Sequence, residues 1–68
     1  MKQKKYCVDL VAIDTLNNIK YYTYNVYRVL FSGLIHIPVF STINTDINKA
    51  YDKCIDFVYS KNGKISTF

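Results

Sequence analysis

Residues 19–31, IKYYTYNVYRVLF, constrain the fold more than any other segment, because aromatic or aliphatic residues occupy both alternating positions of a run built from strand formers. One alternation reads Ile19, Tyr21, Thr23, Asn25, Tyr27, Val29 and Phe31, the other Lys20, Tyr22, Tyr24, Val26, Arg28 and Leu30. A strand with one solvated face alternates apolar with polar side chains more cleanly than this. The segment therefore predicts a sheet with apolar side chains on both faces, both in need of cover.

Residues 4–14, KKYCVDLVAID, read as the strand before it, with Tyr6, Val8, Leu10 and Ala12 at one alternation and Cys7, Val11 and Ile13 at the other. The intervening Asp14-Thr15-Leu16-Asn17-Asn18 supplies turn chemistry: Asp14 through its side chain, Asn17 through its tolerance of the left-handed conformation. A bulged turn pairs Asp14 with Asn18, whereas a two-residue or four-residue turn shifts the register by one and exchanges the faces. Turn preferences favour the bulged register. It sets Tyr22, Tyr24 and Val26 beside Tyr6, Val8, Leu10 and Ala12, leaving Tyr21, Tyr27 and Val29 with Cys7, Val11 and Ile13.

Ser32-Gly33 ends the second strand, and residues 34–41, LIHIPVFS, form a third that Pro38 confines to a sheet edge or a bulge. Residues 41–45, STINT, read as a linker with Thr45 or Asn44 as the helix cap. Ile47, Ala50, Tyr51, Cys54, Ile55 and Val58 then recur at three-and-four spacing, the mark of an amphipathic helix. Asp46 in its first turn and Lys61 in its last suit the helix dipole, and Asn62-Gly63 stops it. The tail 64–68, KISTF, adds a short strand or frays. The fold expected is a single α+β domain over 1–68: a small antiparallel sheet of three strands, four if the tail joins, with one C-terminal helix packed on one face (βββα).

A chain of 68 residues buries only about 60% of its unfolded surface, so a partner's contribution to the core matters. One helix covers one face, which points to a second copy of the chain on the other and hence to a homodimer. The net charge of +4 rests on eight lysines and the single Arg28. Lys2, Lys4 and Lys5 at one end and Lys61 and Lys64 near the other read first as solubilising charge and second as a weak footprint for phosphates. Ile, Asn, Lys, Tyr and Phe fill nearly half of the positions, the signature of AT-rich coding. That bias, with the small size, points to a phage or other mobile element.

Cys7 and Cys54 have no metal-binding or redox spacing and are expected as free, buried thiols. No apolar signal-peptide core follows Met1, and the apolar stretch 29–40, interrupted by Ser32, Gly33, His36 and Pro38, falls short of the ~20 residues that span a bilayer. The expected location is cytoplasmic, without membrane contact.

Candidate chemistry is sparse. His36, the only histidine, has no nucleophile pattern or second ligand at a recognisable spacing. Asp52 and Asp56 share a helix face with Lys49 and Lys53, as solvated ion pairs do, and two isolated glycines build no phosphate loop. No catalytic residue, cofactor or metal is expected. Tyr21, Tyr22, Tyr24, Tyr27 and Arg28 form the candidate partner-binding set, since tyrosine and arginine are enriched at interfaces, although strand propensity alone accounts for part of it. The function expected is a non-enzymatic protein-binding module, a homodimeric inhibitor or regulator of anti-defence type acting on a host-cell protein. The alternative is a nucleic-acid binder that stacks strand aromatics on bases and sets lysines on phosphates, weakened by the lone arginine.

Overall fold

In a computed structural model describing residues 3–66, strands β1 (Lys4–Leu16), β2 (Ile19–Leu30) and β3 (Ile35–Asn44) precede helix α1 (Ile47–Ser60) and strand β4 (Gly63–Ile65). Lys2 of the N-terminal basic group and Thr67 and Phe68 of the tail lie outside the described residues. The sheet order is β3-β2-β1-β4, antiparallel except that β4 runs parallel to β1. The α+β expectation holds, with the tail supplying the fourth strand. Its direction follows from the helix, which leaves the hairpin end of β3 and returns the chain to the level of Lys4.

The β1–β2 turn differs from the expected one. Leu16 pairs with Ile19, and Asn17 and Asn18 form a two-residue connection with φ of 51° and 64°. Positive φ at both corners is what a type I′ turn needs, and its twist matches that of the strands it joins. Asp14 therefore lies opposite Tyr21, not Asn18. A bulge between Leu10 and Ala12 then shifts the register back, so that Tyr6, Val8 and Leu10 oppose Arg28, Val26 and Tyr24. These residues share a face as expected. Beyond the bulge the faces exchange: Ala12 opposes Thr23 on the far side, and Ile13 opposes Tyr22 on the side of the helix.

The β2–β3 connection reverses at Ser32-Gly33, with Leu34 N–H donating to Phe31 O at 3.2 Å. Pro38 sits on the edge strand beside a register shift, opposite Tyr27, as its missing donor requires. The expected linker 41–45 is mostly strand, because Ser41, Thr42, Ile43 and Asn44 continue the ladder to Tyr22. That extension moves the helix cap to Asp46, whose Oδ1 accepts from the backbone N–H groups of Asn48 (2.9 Å) and Lys49 (3.3 Å). Asn44 Oδ1 in turn accepts from Asp46 N–H, so Asp46 replaces both Thr45 and Asn44 as cap. At the other end Lys61 is the cap residue, and Asn62 takes the left-handed conformation with φ of 58°.

Ala50, Cys54 and Val58 bury the helix stripe, and the main core cluster joins Cys54 and Val58 to Tyr6 and Val26. Phe57, outside the expected stripe, stacks on Phe40 with centroids 4.6 Å apart and meets Tyr6 edge-on at 6.2 Å. The helix, at about 1.5 Å per residue, reaches about half the length of a domain measuring 47 × 22 × 16 Å. No helix among the described residues is long and apolar enough to cross a membrane.

Candidate protein interface

The registers divide the sheet into a helix face and a bare face, and they divide the tyrosine–arginine set as well. Tyr22, Tyr24 and Arg28 belong to the helix face, Tyr21 and Tyr27 to the bare face. All five are half-buried. Tyr24 borders the core and meets Tyr51 edge-on at 5.7 Å. The Arg28 guanidinium lies 5.7 Å from the centroid of the Tyr6 ring, and its Nη1 donates to Val29 O at 3.0 Å and Lys5 O at 3.5 Å. Tyr27 Oη accepts from Asn25 Nδ2 at 3.2 Å, and its ring is 6.4 Å from that of His36. The five side chains thus form no single patch, and Tyr24 and Arg28 are engaged within the fold.

A different group lies at the hairpin end of the bare face. Val11, the extra residue of the bulge, is 43% exposed, Leu16 62%, Ile19 47% and Ile43 57%. Leu16 and Ile19 are paired, and Ile43 opposes Thr23 one strand over. Primed-turn geometry and the continuation of β3 place these aliphatic side chains at one end of the face, with Asp14 and Tyr21 between the paired Leu16 and Ile19 and the row of Ala12, Thr23 and Ile43. The sequence signal for them was the pair of aliphatic residues bracketing Asn17-Asn18, which reads as ordinary strand ends. The middle of the bare face is polar: Asp9, Asn25 and Ser41 oppose one another across three strands. The expectation of two apolar faces is thereby narrowed to one end of the bare face. At the opposite end of the sheet the turn residues Phe31 and Leu34 are also exposed.

Cys7 and Cys54 are free; Cys54 is buried, which pushes its thiol pKa up, whereas Cys7 is only half-buried on the bare face. His36 is exposed on the edge strand, and no group of three or more His, Cys, Asp or Glu among the described residues is placed to hold a metal ion. The site offers contact area, with apolar side chains interspersed with polar ones. No protein-family model, curated protein or solved structure matches the chain.

Proposed function

We propose that this chain is a small non-enzymatic protein-binding module that pairs with a second copy through the hairpin end of its bare sheet face. The observation that carries this is that Val11, Leu16, Ile19 and Ile43, all more than two-fifths exposed, lie at the hairpin end of the bare face, spread over three strands around the pair of Asp14 and Tyr21. Scattered exposed aliphatics are ordinary, but four of them at one end of a sheet face that no helix covers suit an interaction surface. An isologous contact between two copies sets each patch against its twin and needs no other partner.

The role we assign is that of an inhibitor or regulator of a host-cell protein in the cytoplasm, encoded by a phage or mobile element. AT-rich composition and small size support that origin. The nucleic-acid alternative is weakened because the only guanidinium is held against Tyr6 and two backbone carbonyls.

Light scattering across the micromolar range tests the pairing. Wild-type protein should show the mass of a dimer, and Ile43→Lys should show that of a monomer with unchanged circular dichroism. A monomeric wild-type mass at every concentration refutes it.

A further inference from the structure

The edge of β1 away from β2 is open along most of its length. β4 pairs only with Lys4, Lys5 and Tyr6, and no other described strand lies beside residues 8–16 on that side. Ser66 N–H donates to Tyr6 O at 2.8 Å, so the backbone of Tyr6 faces this edge. Alternation points the N–H and C=O groups of Val8 and Leu10 the same way, and the bulge resets the count so that Ile13 and Thr15 follow. The same count makes Leu16 and Ile19 a hydrogen-bonded pair, as closure of a two-residue hairpin demands.

Open edges are usually guarded. The outer edge of β3 is guarded by Pro38 and a bulge, whereas residues 8–16 carry a bulge at Val11 but no proline, and only two charged residues, Asp9 and Asp14. Both carboxylates are exposed and belong to the bare face. They decide who can pair here. The two-fold register that matches all four outward residues sets Val8 against Thr15 and Leu10 against Ile13 of a second copy. It also sets Asp9 against Asp14 twice, and like charges directly opposite are destabilising. A foreign strand with lysine or arginine at those positions meets the reverse.

We propose that this edge takes up an extended segment of another protein by strand addition, apolar on the side toward the helix and cationic opposite Asp9 and Asp14. The inference rests on the protein-binding reading but not on the pairing of two copies, which uses other side chains.

Amide exchange of the full chain, followed by NMR, tests it with two synthetic peptides of about nine residues, the length of the open edge, one alternating valine with lysine and the other valine with glutamate. At millimolar concentration the lysine peptide should slow exchange at Val8, Leu10, Ile13 and Thr15 several-fold, and the glutamate peptide should not. In the doubly reversed variant Asp9→Lys/Asp14→Lys the preference should invert, a readout that needs no disruption of the strand. No slowing with either peptide, equal slowing with both, or slowing confined to β3 overturns the proposal. A monomeric mass would refute self-pairing and leave this result standing.

Discussion

Gly63 begins β4 in close contact with the Tyr6 ring. A Cβ built there falls on Tyr6 Cε2 and lies 2.6 Å from Cδ2 and 3.1 Å from the carbonyl oxygen of Lys4. The ring has no easy retreat, since Tyr6 is 4% exposed, braced edge-on by Phe57 and covered by Arg28. Overpacking of this kind costs about 1–3 kcal/mol, and contact with backbone as well as ring puts Gly63→Ala near the upper end. A domain of this size holds roughly 3–10 kcal/mol in total. The loss should lower Tm by about 10–20 °C, at 4–8 °C per kcal/mol, and it is readable as a lowered urea midpoint by far-UV circular dichroism. Conformation is not the reason for glycine here: the glycine with a left-handed φ is Gly33, at 96°. In a Tyr6→Leu background, where the obstructing ring is gone, Gly63→Ala should therefore cost much less. A wild-type midpoint for Gly63→Ala, or an undiminished cost without the ring, would refute the steric account.

Asp46→Ala removes the acceptor shared by Asn48 and Lys49 and should cost about 1 kcal/mol in urea unfolding, whereas Thr45→Ala should leave the midpoint unchanged. Under native conditions a thiol reagent should modify Cys7 readily and Cys54 only at the rate of global opening, because Cys54 is fully buried with its thiol pKa raised; equal rates would contradict the burial.

The fold class was legible because its periodicities are strong, above all the three-and-four spacing that buries Ala50, Cys54 and Val58. Registers were less so. The Asn17-Asn18 turn moves the register by three residues from the expected one and the bulge at Val11 returns one, so over Tyr6, Val8 and Leu10 the net shift of two keeps the expected faces although the turn and the direct partners differ. Val11 is an ordinary strand residue with nothing local to mark a bulge, and the exchange shows from Ala12 to Leu16. The cap was ambiguous because Asn44, Thr45 and Asp46 can each accept from a helix N-terminus. The ladder removes Asn44, which β3 holds opposite Tyr22, and of the two residues left it is Asp46 whose carboxylate accepts from Asn48 and Lys49. Phe57 was missed because aliphatic spacing alone does not show how far an aromatic ring reaches toward Phe40.

The division of the tyrosines was present in the sequence: successive strand residues point to opposite faces, so Tyr21 and Tyr27 could never share a surface with Tyr22, Tyr24 and Arg28. What the sequence conceals is the mismatch between helix and strand length. α1 and β1 have 14 and 13 residues, yet a helix rises about 1.5 Å per residue and a strand about 3.3 Å. A single helix of this length leaves half the sheet uncovered on its own side, where Ile13 is 55% exposed, and reaches none of the other, although Val29 there is buried. The polar row of Asp9, Asn25 and Ser41 closes the middle of the bare face to apolar contact. The hairpin end exposes Leu16, Ile19 and Ile43 on the bare face and Ile13 on the helix face, and a partner gripping it covers in one contact what a second helix would otherwise have to reach. Substitutions at Leu16, Ile19 or Ile43 should accordingly change the assembly and spare the fold, whereas those at Tyr24 or Arg28 should weaken the fold first.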